Sequence, residues 1–447
     1  MGKYRFHLKR YFELRVLLRT IFKDAEVLPL VIHNSAWLFL DKLLRLGLGA
    51  IIGAWVARYL GPAQYGELAF VIAYIAIFQA IANLGLDGIV VRDISQHKSR
   101  ANTLLGTTFV LRLGVGILCW VGAVLAMAWA NGLYDLSVKL TILVGSILVF
   151  QAADTVDLWF QSQSQSKRTS IAKFSAYLVS NGIKVVLILI KAPIEAFAAV
   201  IVLEGIIAAI GLSIAYKKFP CDNKWGEIRS LAFELIQESW PFIVGGVSIM
   251  VYMRVDQIMI KEMLGVRQLG IYAAVLPLAT LWQVIPVVLN LSLAPYIARK
   301  KIESEAAYWG ALERIFKAYS FIGWFICIPT LLLGDWAIQL LYGADYQEGA
   351  MVLSIYVFTN LFINMGMAQG LWMLNERKPL ISLFNTLVGA IVCIVGNYFI
   401  IPLFGISGVA FVAVLSQLSS AVLTNVIFSR RIFFMQINSL ITPRLKF

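Results

Sequence analysis

The chain has 447 residues, 60% hydrophobic and only 14% charged, with a mean hydropathy of +0.79 and a formal net charge of +13. A soluble chain of this length carries about a quarter of its residues as charges, so a soluble multidomain protein is excluded. The basic surplus then points to a membrane surface and not to nucleic acid. Four cysteines without a CxxC and three histidines without an HExxH exclude a disulfide framework and a built-in zinc site. No cofactor is expected.

Residues 1–33 form a basic N-terminal segment. Within it, 8–22 alternates Lys9, Arg10, Arg15 and Arg19 with Tyr11, Phe12, Leu17 and Leu18. That pattern suits either an interfacial basic helix or a solvated positive flank. It lacks the short apolar core and cleavage site of a secretory signal.

A spanning helix needs about twenty mostly apolar residues. Twelve such windows follow in order, at 34–57, 67–86, 106–130, 138–160, 170–190, 195–216, 240–263, 270–292, 315–334, 349–370, 380–400 and 405–429. The expected fold class is an all-α integral membrane protein. An N-terminal six-helix bundle (34–216), a linker (217–239), a C-terminal six-helix bundle (240–430) and a tail (431–447) make up the rest of the chain. A short amphipathic stretch at 225–236 is expected to lie on the inner surface. Of the 38 Lys and Arg, 27 fall in the N-terminal segment, the connections after even-numbered helices and the tail. Five fall in the opposite connections. Positively charged connections stay in the cytoplasm, which predicts both termini inside.

A shift of 204 residues lays Leu60–Ile81 on Leu264–Ile285 without a gap, and eight of the 22 positions are identical. Gly61/Gly265, Gln64/Gln268, Gly66/Gly270 and Gln79/Gln283 are among them. Six helices return a chain to its starting side, so the two halves run in the same direction. Two bundles about a pseudo-twofold axis along the membrane normal follow, with a central cavity between them opened alternately.

Ionisable groups inside spans are costly and mark function by default. Arg45, Arg112 and Arg254 are candidate cavity cations, with Lys184 as a further point charge. A guanidinium keeps its charge and grips phosphate oxygens in a two-pronged fork, so such a cavity suits an anionic cargo. Asp41, Asp154, Glu204 and Asp256 are candidates for ion pairing, or for coupling to a proton or sodium ion if a gradient drives the cycle. Lys173, Lys42 and Asp157 are read as reaching for an interface. Arg254 and Asp256 are two residues apart and point to different faces of their helix.

The blocks NSAWLFLDKLLRLGLGAIIGAWVARYLGPAQYGELAF (34–70), NLGLDGIVVRDI (83–94), RVDQIMIKEMLGVRQLGIYAA (254–274) and LLYGADYQEGA (340–350) resemble the bacterial polysaccharide flippases. These are the Wzx-type O-antigen and capsule repeat-unit transporters of the multidrug/oligosaccharidyl-lipid/polysaccharide exporter superfamily. The resemblance implies a non-enzymatic transporter of the bacterial inner membrane. It would move undecaprenyl-diphosphate-linked oligosaccharide from the cytoplasmic to the periplasmic leaflet, amid membrane lipids and beside the polymerase and chain-length regulator of its pathway. It also implies a cationic cavity, which Arg45, Arg112 and Arg254 could supply. Two other functions stay open: a cation-coupled multidrug antiporter of the same fold, using Asp41, Asp154 and Asp256, and a membrane polymerase or glycosyltransferase. Short outer connections and the absence of a phosphate-binding loop speak against the last.

Overall fold

A chain this apolar must satisfy its backbone hydrogen bonds internally, and helices do so within each segment. The computed structural model describes residues 27–221 and 224–442, with side chains from Arg45 onward except at 291 and 292. The basic stretch 8–22 and the Asp41 side chain lie outside the described residues. No strand occurs among those described.

Ten helical stretches among them are long and apolar enough to cross a membrane. Two are double. Val27–Ala82 is broken at Gly61 (φ 72°, ψ 165°), and Pro379–Leu418 at Gly405 (φ 58°, ψ −145°). Twelve spans result: α1 (27–60), α2 (62–82), α3 (Ala101–Asn131), α4 (Leu136–Ser162), α5 (Ser166–Leu189), α6 (Ile194–Lys218), α7 (Arg229–Leu264), α8 (266–303), α9 (Glu305–Tyr342), α10 (Glu348–Asn375), α11 (379–404) and α12 (406–428). A short helix, Asp87–Gln96, follows α2. A terminal helix, α13 (Arg430–Ile441), packs back on the bundle through Ile432, Gln436 and Ser439.

The expected windows overlap these helices in order, with 67–86 running past the end of α2 into the turn that follows it, but α7 and α9 begin about ten residues early. The reason is packing. Leu235 and, on α9, Tyr308 and Leu312 are buried, so the polar overhangs stay helical beyond the apolar window. Residues 229–239, read above as linker, are therefore the first turns of α7.

The sharp breaks between α1 and α2 and between α7 and α8 occur at repeat-equivalent residues. Gly61 and Gly265 (φ 88°, ψ 170°) both adopt backbone angles that side-chain-bearing residues avoid. Pro62 then starts α2, where its missing N–H costs nothing.

The turns after α1, α3, α5, α7, α9 and α11 lie at one end of the molecule, here the far end. The Lys- and Arg-rich connections lie at the other, the basic end. At the far end one apolar core joins both bundles, including Ala57, Leu60, Leu68 and Val71 with Leu269, Tyr272, Val275 and Tyr342. Toward the basic end the cores separate. Leu84, Leu86, Leu104 and Leu158 form one, capped by Leu235 of α7. Ile297, Tyr308, Phe316, Trp372 and Val422 form another, wholly from the second half.

Candidate functional site

Four of the eight charged residues singled out by sequence converge on one cavity of about 480 Å3 in the first bundle. Arg45 reaches it from α1, Asp154 from α4, Lys184 from α5 and Glu204 from α6. Gln79 of α2 and Lys173 of α5 join them, between the apolar side chains of Ile72, Ile75, Val144, Ile147 and Ile201.

The spacing on α5 explains the convergence. Lys173, Tyr177, Ser180 and Lys184 recur at intervals of three and four residues and so share one stripe of the helix. Tyr177 and Ser180 were not foreseen. The Tyr177 hydroxyl donates to the backbone carbonyl of Arg45 at 2.7 Å. The Arg45 guanidinium lies 5.4 Å from the centre of the Tyr177 ring and 5.5 Å from that of Phe174. Both are within range of cation–π attraction. Gly49 leaves room for the Tyr177 hydroxyl, from which an added Cβ would stand 2.8 Å. The polar stripe on α5 was the available signal, but a tyrosine that supports an arginine reads in sequence like any packed aromatic residue.

The charges in the cavity are unequally engaged. Lys173 bridges Asp154 at 2.8 Å and Asp157 at 2.9 Å, so this lysine is an internal tie. Glu204 accepts a hydrogen bond from the Ser180 hydroxyl at 2.5 Å. Lys184 has no carboxylate within 4 Å among the described residues. Arg45, beside the Tyr177 and Phe174 rings, and Lys184 line the same space, in which Asp154 already holds Lys173.

The other candidates lie elsewhere. Arg112 is buried and bonded to Asp87 at 2.5 Å and to the carbonyl of Asn83 at 3.4 Å. It fastens the turn after α2 to α3. Arg254 and Asp256 form no ion pair. Arg254 is half-buried, whereas Asp256 is buried and accepts hydrogen bonds from the Tyr272 hydroxyl at 2.6 Å and the Gln257 backbone at 2.8 Å. No group of three or more His, Cys, Asp or Glu suited to a metal ion occurs among the described residues.

Residues 31–301 match the polysaccharide biosynthesis protein family. Capsular polysaccharide biosynthesis protein CapF of Staphylococcus aureus is 29% identical over 142 residues, which are 31% of this chain and 34% of CapF. The alignment therefore spans about a third of that relative. An inward-facing multidrug resistance transporter of the MATE family, in the MOP superfamily, superposes with a TM-score of 0.69 at 14% identity, covering 89% of this chain and 96% of its own. The lipid II flippase MurJ in an inward closed conformation also gives 0.69, at 13% identity, over 90% of this chain and 91% of its own. Identities this low speak for the fold alone. The chain is a multi-pass membrane protein with the two-lobed fold of these transporters, and it belongs to the polysaccharide biosynthesis protein family.

Proposed function

We propose that the protein is a flippase for undecaprenyl-diphosphate-linked oligosaccharide, carrying the head group from the cytoplasmic to the periplasmic leaflet of the bacterial inner membrane. The observation that supports this most is the cavity holding Arg45 and Lys184 between apolar walls. A guanidinium and an ammonium in low dielectric attract a diphosphate far more strongly than they would in water. The polyprenyl chain needs no pocket, because it stays in lipid while the head group crosses. Positive charge marks the basic end as cytoplasmic, which puts both termini there.

A drug or metal cation suits the cavity poorly. Asp154 would have to give up Lys173, and Glu204 already holds Ser180. Deletion of the gene is expected to leave lipid-linked repeat units accumulating on the cytoplasmic face, read by their protection from an externally added glycosidase. Normal surface polysaccharide in the deletion strain would end this reading. Product would pass to a polymerase and chain-length regulator, whose consumption of it favours export.

Among the proposed coupling carboxylates, Asp256 stands apart. It is buried in α7 and has a tyrosine hydroxyl but no cation within 4 Å among the described residues. Such a group can hold a proton or a sodium ion and change its partner as the bundles move. Asp256→Asn is expected to flip cargo at one slow rate with or without an ion gradient, whereas the parent slows about tenfold or more when the gradient is collapsed. Equal rates for the parent in both conditions would remove the coupling role.

A further inference from the structure

The same shift of 204 residues that relates the two halves also relates the partners in a close backbone contact between them. At the far end, α2 crosses α8 one turn after each helix begins. A Cβ added at Gly66 would stand 1.9 Å from the carbonyl oxygen of Val266 and 2.9 Å from the backbone nitrogen of Gly270. A Cβ added at Gly270 would stand 1.8 Å from the carbonyl oxygen of Pro62 and 3.0 Å from the backbone nitrogen of Gly66. Pro62 is equivalent to Val266, and Gly66 to Gly270, so the contact is its own mirror under the pseudo-twofold. The absent Cβ marks the direction of a Cα hydrogen. Each glycine therefore aims a C–H at the carbonyl of the opposite half, the close approach that small residues allow between membrane helices.

Other ties at the far end share this position between halves. The Tyr346 hydroxyl, from the connection between α9 and α10, donates to the carbonyl of Ala57 on α1 at 2.6 Å. Arg58 donates to the carbonyl of Leu340 at 3.3 Å. Toward the basic end the halves meet through the first turns of α7. Its Glu238 forms a partly exposed ion pair with Arg92 at 2.8 Å, and its Phe242 packs on Gly85. An exposed pair of that kind holds little.

The geometry points to the Gly66–Gly270 crossing as the seal of the far mouth, and to these two glycines as the positions that set the balance between far-closed and far-open states. The seal is a contact of backbone on backbone with no side chain able to give way. It therefore parts as a whole or stays shut, as a bistable gate requires. Even one methyl group at either glycine meets a carbonyl well inside contact distance and can be accommodated only by moving the bundles apart at that end.

Gln79→Cys places a reporter in the cavity of a chain whose four native cysteines are buried. Sealed vesicles of both orientations are then treated with a membrane-impermeant maleimide. With glycine at both positions, labelling should come mainly from the basic-end side. Gly66→Ala and Gly270→Ala should each raise far-end labelling about tenfold and lower basic-end labelling. The double variant should resemble the singles, since either change breaks the same seal. Gly122→Ala, at a glycine with open space around it, should leave the pattern unchanged. Tyr346→Phe removes only a hydroxyl and should raise far-end labelling about twofold. It decides the matter if the alanine variants fail to fold. Far-end labelling equal to the parent in Tyr346→Phe and in whichever alanine variants fold would overturn the assignment.

Discussion

A chain carrying Arg45→Ala and Lys184→Ala together is expected to reach the membrane in normal amount and to export at about a hundredth of the parental rate or less. In the proposed mechanism each residue would supply a charge-assisted contact to the anionic head group, and contacts of this class are worth about 1.5–3 kcal/mol apiece. Two of them lost correspond to two or more orders of magnitude. Arg45→Lys separates charge from shape: it keeps the cation but loses the planar fork and its fit over Tyr177 and Phe174. It should export about tenfold more slowly than the parent, between the parent and the double variant. Delivery of a fluorescent diphosphate-linked saccharide across reconstituted vesicles measures all three. Full export by the double variant would show that the cavity does not hold the anion.

The largest effect on stability is expected far from that cavity. Asn425 on α12 accepts a hydrogen bond from the Gln369 side chain of α10 at 2.7 Å and donates to Gln436 of α13 at 3.0 Å, and all three residues are completely buried. Gln436 in turn donates to the carbonyl of Ala421, inside a stretch of wider π-helix at Ser419–Leu423. Asn425→Ala strands a donor on Gln369 and an acceptor on Gln436 at once. Hydrogen bonds between membrane helices average only about 0.6 kcal/mol, because the unpacked helices find other partners. Two orphaned groups in a packed protein core cost more, about 1–3 kcal/mol each. A drop of about 5–10 °C in the melting temperature of the purified protein follows, with export per folded molecule little changed. An unaltered melting temperature would mean that water or rearranged side chains replace the lost partner.

The twelve spans were legible because bilayer thickness fixes how much apolar chain a crossing needs, and the Gly61 and Gly265 breaks carried their own signal in the repeat. The overhangs of α7 and α9 were not legible. Their residues are polar on average, and only the burial of Leu235, Tyr308 and Leu312 shows why they stay helical.

The site was read in part for a related reason. The cost of charge in a membrane singled out Arg45, Lys184, Asp154 and Glu204, which the fold gathers, and with equal force Arg112, which it does not. Arg112 finds Asp87 in a turn 25 residues earlier, and no local pattern announces such a partner. Lys173, read as reaching for an interface, is instead held by two aspartates. Tyr177 and Gln79 carry no charge, so the cost of burying charge did not single them out, although Gln79 recurs in the repeat as Gln283.

The reciprocal crossing of Gly66 and Gly270 has the form of an isologous dimer interface, in which residue i of one copy meets residue j of the other and j meets i. A six-helix ancestor pairing with a second copy of itself would already have possessed this contact, before any duplication joined the two copies into one chain. Fusion then frees each copy to change alone. Here the first half holds the arginine and lysine cavity and the second the buried Asp256 with its tyrosine partner. A seal with two equivalent sides thus joins two compartments whose chemistry does not have to match.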